Sequence, residues 1–80
     1  MIFEPDPLVQ IFSEVFNVPL DSLNNASSQD TISEWDSFGM VSIINEIEKK
    51  FNVEFDLLEI ADFKNIGIIR SILIEKGVKV

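Results

Sequence analysis

Leu8, Ile11, Phe12, Val15 and Phe16 recur at the i, i+3, i+4, i+7, i+8 spacing of one apolar helical face. Asp6-Pro7 just ahead of them is a helix start: Asp accepts from the free N–H groups, and Pro at the first helical position gives up nothing. Asn17 and Pro19 end this first helix. Over 17–36 the pattern dissolves into Asn, Asp, Ser and Pro, with isolated apolar anchors at Val18, Leu20, Leu23, Ile32 and Trp35. A connection of that length in a chain this short is either functional or pinned by its own side chains. The spacing predicts a long ordered loop with one short helical turn near 20–24.

Helical periodicity returns at Asp36 or Ser37 and runs to about Phe51, with Ile43, Ile44, Ile47 and Phe51 as the inward stripe. Gly39 falls in the first turn, where glycine costs less than the roughly 1 kcal/mol of a helix interior and where backbone access matters. Val53-Glu54-Phe55 alternates like a strand but has no second strand to pair with, so an extended linker is expected, with Val53 and Phe55 inward. A short helix comes next, from Asp56 or Leu57 to about Phe63, with Leu57, Ile60 and Phe63 inward. Asn65 caps a last helix whose Ile66, Ile69, Ile72 and Leu73 face the core, and Gly77 stops it. The expected fold is all-α: a small four-helix bundle of three main helices and one short one, antiparallel, with a long loop between the first two. It forms a single domain over 1–80.

Composition narrows the function. The 80 residues carry a net charge of −8 at 46% apolar content, so this is not a disordered acidic tail. Neither Cys nor His nor Tyr is present. That removes disulfides, thiol chemistry, Cys-ligated metals, the usual general base and any Ser-His-Asp arrangement. Carboxylates, five Lys, one Arg and eight Ser remain, which argues against an enzyme, against a resident metal and for a module that others act upon. The charge is lopsided: residues 1–48 hold no Lys or Arg and nine acids, Glu4, Asp6, Glu14, Asp21, Asp30, Glu34, Asp36, Glu46 and Glu48. Such a field disfavours nucleic acid and anionic membranes and favours basic protein partners. Met1-Ile2-Phe3-Glu4 has no basic or apolar leader character, and the longest uncharged apolar-rich stretch, 37–45, is far below the roughly 20 residues of a bilayer span. A soluble, cytoplasmic monomer without membrane insertion is expected.

The chemistry concentrates at Trp35-Asp36-Ser37-Phe38. An acid and a hydroxyl open a long helix, whose unsatisfied N–H groups and positive dipole end make a seat for a phosphate or phosphodiester. Ser37 has no base beside it in sequence, so another protein must activate it.

On these residues the chain resembles the acyl carrier proteins, the phosphopantetheine-binding carrier domains. The likeness spans about 8–74: a helix, a long loop, an Asp-Ser-apolar motif (Asp36-Ser37-Phe38) opening the second helix, the run Glu48-Lys49-Lys50-Phe51 at that helix's end, a short third helix and a fourth. The resemblance implies that Ser37 receives a 4′-phosphopantetheine arm from coenzyme A, attached by a magnesium-using phosphopantetheinyl transferase, with Asp36 helping to hold that metal. The arm's thiol then carries cargo as a thioester, supplying the sulfur that the chain lacks. It implies loading ligases and acyl-transferring enzymes as further partners, in fatty acid biosynthesis or other lipid metabolism, and assigns the partner-facing surface to Phe38, Val41, Glu46 and Glu48. Asp21-Ser22-Leu23 matches the family triplet literally, yet a polar loop comes after it; context selects Ser37.

The departures from the family shape the expectation. Phe38 replaces the commoner Leu and is either a partner-facing knob or an inward core residue. Gly39 and Ser42 stand where many fatty-acid carriers have acids, and Lys49 and Lys50 replace acids near the helix end. These departures point to a pathway-dedicated carrier. Gly39 is also similar to the D-alanyl carrier proteins, which keeps an aminoacyl cargo open. Two roles stand for Trp35, an anchor for the loop or a flank for the arm, and the anchor is preferred. Met40, Ile43 and Ile44 are either plain core or the lining of an acyl cavity. The alternative of another class is an unmodified acidic helical adaptor that binds a basic partner through its loop and second helix.

Overall fold

The computed structural model describes residues 6–80; the Met1-Ile2-Phe3-Glu4 segment read for leader character lies outside the described residues. Helix α1 (Pro7–Phe16) begins where Asp6 leaves helical geometry and its Oδ1 accepts from the N–H groups of Leu8 at 3.0 Å and Val9 at 3.4 Å. It ends at Asn17, whose φ of 54° lies in the left-handed region that Asn tolerates better than most side chains. Helix α2 (Ser37–Phe51) is capped by Asp36 and ends the same way, at Asn52 with φ 55°. Helix α3 (Leu57–Ala61) opens on a reciprocal cap: Glu59 N–H donates to Asp56 Oδ1 at 2.8 Å, and Asp56 N–H donates to Glu59 Oε1 at 3.0 Å. Helix α4 (Ile66–Glu75) is capped by Asn65, and beyond it Gly77 takes a φ of 89° while Val78 N–H reaches back to the Leu73 carbonyl at 2.9 Å. The described residues form an all-helical four-helix bundle with no strand, and none of their helices is long and apolar enough to cross a membrane.

The core draws Leu8, Ile11, Phe12 and Phe16 from α1, Ile43 and Ile47 from α2, and Ile66, Ile69 and Leu73 from α4. Ile32 and Trp35 enter it from the long loop, and Phe63 from the turn before α4. Ile44, Phe51, Val53, Phe55 and Ile72 pack on it half-buried. The short helix departs from expectation. It stops at Ala61, not Phe63, and Leu57 points outward, 84% exposed. Phe55 and Phe63, one on each side of α3, meet edge to face at 4.9 Å. Phe63 is buried in the core and Phe55 packs on it, whereas Leu57 is turned to solvent.

The long loop is ordered by its own polar side chains, and its helical turn is a 3-10 turn over Leu20–Ser22. Its middle is stitched to the head of α4: Ile66 N–H donates to the Ser27 carbonyl at 3.0 Å and Gly67 N–H to the Asn25 carbonyl at 2.9 Å. Arg70 of α4 ties the head of α1 to the middle of the loop, pairing with Asp6 at 2.6 Å and donating through Nε to Asn25 Oδ1 at 3.1 Å.

Candidate functional site

Ser37 is the first residue of α2, the longest helix, and it stands exposed with Asp36 and Phe38 around it. The loop is brought to this point by Trp35, which is 1% exposed. Its ring meets Phe12 edge to face at 5.0 Å and stacks on Phe16 at 6.1 Å. Its Nε1–H points to Met40 Sδ at 3.5 Å, and its carbonyl accepts from Gln29 Nε2 at 3.0 Å. Trp35 is therefore an anchor. Asp36 then caps the helix by accepting from Gly39 N–H at 2.9 Å through Oδ1.

Gly39 is buried under the loop that leads into its own helix. A Cβ at this position would run into the Glu34 carbonyl oxygen and stand 2.8 Å from Phe16 Cε1. Glycine is there because the backbone of residue 34 lies directly on the first turn of α2. The residue that suggested an aminoacyl carrier thus has a packing reason of its own.

The two Asp-Ser pairs separate by geometry. Ser22 closes the 3-10 turn, and its Oγ–H donates to the Pro19 carbonyl at 2.6 Å. The Ser37 hydroxyl is engaged by none of the described residues, and it sits on a helix of 15 residues. At that end the unsatisfied N–H groups and the dipole favour an anionic group esterified to the hydroxyl. The site therefore fits a phosphodiester.

Of the residues expected to face partners, Phe38 is 86% and Val41 58% exposed on α2. Glu46 is exposed and lines a surface groove of about 410 Å³ with Ile11, Glu14, Val15, Ser42 and Asn45. Glu48 is half-buried, and its Oε2 accepts from Phe55 N–H at 2.9 Å, so this acid holds the α2–α3 linker. Ile43 is buried in the core, whereas Met40 and Ile44 are half-buried against it. Leu57 and Leu58 add two exposed leucines on α3, at 84% and 81%. The sequence pattern missed them because an i, i+3 spacing in so short a helix does not reveal which side the flanking aromatics fill.

The described residues thus form an all-helical bundle that presents, at a helix head, a serine hydroxyl that none of them engages, beside exposed apolar side chains. A family model for the phosphopantetheine attachment site matches residues 6–69, and the chain belongs to that family of carrier domains. Its cofactor is the covalently attached 4′-phosphopantetheine of the family, and its function is that of a phosphopantetheine carrier. Carrier domains of this family are modified by a phosphopantetheinyl transferase and interact with acyl-handling enzymes. No curated protein matches the chain in a sequence search.

Proposed function

We propose that Ser37 is the attachment residue and that the protein is a pathway-dedicated, non-catalytic acyl carrier, cytoplasmic and monomeric. The observation that carries the assignment is the contrast between the two serines: Ser37 is free at the head of α2, whereas the Ser22 hydroxyl is tied to Pro19 in a three-residue turn. In the transfer, Ser37 Oγ bonds to the phosphorus of coenzyme A that bears the pantetheine. The phosphoanhydride bond at that phosphorus breaks, adenosine bisphosphate leaves, and the hydroxyl proton passes to a base on the transferase. The attached group supplies a thiol for thioester carriage. Among the described residues no three His, Cys, Asp or Glu stand close enough to hold a metal. By likeness to the family, Asp36, directly before Ser37, helps to hold the transferase's magnesium during transfer.

Pathway dedication rests on the acids. Glu48 serves the fold, Glu46 is the remaining acid within α2, and Asp30, Glu34 and Asp36 put three more acids on the loop and helix head. The docking face is apolar at Phe38 and Val41 with acids beside it. The aminoacyl alternative rests on Gly39, whose packing against Glu34 is compatible with either cargo.

The test is intact-mass analysis after incubation with coenzyme A and a broad-specificity transferase. Wild type and Ser22→Ala gain one arm, and Ser37→Ala gains none. An arm on Ser37→Ala would refute the assignment. Loading of the holo protein by adenylating ligases offered fatty or amino acids then identifies the cargo.

A further inference from the structure

We propose that Gly39 is a positioning residue for arm transfer: its missing side chain lets the Glu34 backbone lie on the first turn of α2, and that contact sets where the Ser37 hydroxyl stands. The proposal rests on the assignment of Ser37 as the attachment residue.

The last three residues of the loop lead directly into Ser37, and each is held differently. Glu34 presses its carbonyl on Gly39, Trp35 is buried against Phe12 and Phe16, and Asp36 caps the Gly39 N–H. Gly39 is thus a partner of both Glu34 and Asp36. Two further bonds tie the lead-in to the loop: Trp35 N–H donates to the Ile32 carbonyl at 3.1 Å, and Gln29 Nε2 donates to the Trp35 carbonyl at 3.0 Å. The lead-in and the first turn form one body. A methyl group at residue 39 meets backbone at Glu34, and backbone cannot rotate aside as a side chain can. Residues 34–36 must therefore lift away, and Ser37 moves with them. The docking side chains Phe38 and Val41 project outward, away from this contact. The burden of the substitution falls on the placement of the nucleophile more than on docking.

Phosphoryl transfer needs the hydroxyl in line with the breaking bond, and a displacement of about 1 Å costs on the order of 100-fold in rate. For the transferase acting on Gly39→Ala, kcat is expected to fall by roughly 10- to 100-fold while KM stays within about twofold. The assay is run on protein shown to be folded by circular dichroism, well below its unfolding midpoint. A second variant covers failure to fold. Gln29 is outside the core, so Gln29→Ala leaves the core intact while releasing the Trp35 carbonyl; it is expected to lower kcat in the same direction and less deeply, again at constant KM. Loss of folded carrier alone would raise the apparent KM at unchanged kcat, because the carrier is the substrate, and so is the opposite of the expected split. If folded Gly39→Ala, or Gln29→Ala where the first does not fold, matches wild type in both constants, the proposal is overturned. Retention of the arm by Ser37→Ala would instead overturn the attachment assignment, so the two failures are distinct.

Discussion

Replacing Trp35 by Ala tests whether the helix head is held by the core. The indole is 1% exposed and packs between two α1 aromatics at 5.0 and 6.1 Å. Truncating a buried aromatic of this size costs about 3–5 kcal/mol in lost burial and residual cavity. At about 0.05–0.15 kcal/mol per residue, 80 residues have roughly 4–12 kcal/mol of total stability. The substitution therefore removes a quarter of the stability at the least and all of it at the most. Trp35→Phe keeps one six-membered ring but loses the second ring and the Nε1–H contact to Met40; roughly 1–2 kcal/mol is expected. Urea unfolding followed by the helical circular dichroism signal reads both, because the only tryptophan is the residue removed. With a slope of about 1 kcal/mol per molar urea for a protein of this size, the Phe variant shifts the midpoint by roughly 1–2 M. A solvent-facing tryptophan that flanked the arm would change stability by only about 0.5 kcal/mol. Such a small change for Trp35→Ala would refute the anchoring role.

Other substitutions probe other parts of the molecule. Phe38→Ala is expected to leave stability within about 0.5 kcal/mol, since the ring is 86% exposed, while raising the KM of enzymes that dock on α2; an unchanged KM for every such enzyme would exclude Phe38 from the docking face. Leu57→Ala is expected to be equally silent in unfolding, whereas Phe63→Ala costs about 3–5 kcal/mol; comparable losses would mean that Leu57 is not turned outward. Partial burial raises the pKa of Asp6, but the Arg70 hydrogen bond and charge, with the Val9 and Leu8 N–H groups, outweigh it and hold the carboxyl below its ordinary 3.8. A carboxyl depressed in the folded state stabilises fully above its unfolded value, and that contribution is lost as pH falls through the native one. Asp6→Asn keeps the cap and removes the charge, so the wild-type advantage in urea midpoint should be present at about pH 7 and shrink below about pH 4. An advantage that grows on acidification contradicts the Arg70 pairing.

Periodicity made α1, α2 and α4 legible because each buries a stripe that repeats over at least ten residues. It failed at α3, where five residues are too few to make a stripe and none of them is buried. The same limit governs the polar residues. Asp6, Asp36, Asp56 and Asn65 were readable or nearly so as caps, since a cap acts on N–H groups two or three residues ahead. Glu48 acts seven residues ahead, across the left-handed turn at Asn52, a reach that the chain pattern does not show, and it was assigned to the partner-facing surface instead. Gly39 was visible as an oddity, but its reason lies in a carbonyl of the loop that folds back over the helix. The difference in setting between Ser22 and Ser37 was legible because it is local to the chain: a helix of fifteen residues begins at Ser37, and a polar loop runs on from Ser22. Chain order alone could not supply the way Ser37 is held. Ile32 and Trp35, two isolated apolar positions in a polar loop, are core residues of the bundle, and through them the long connection carries the serine to the helix head and keeps it there.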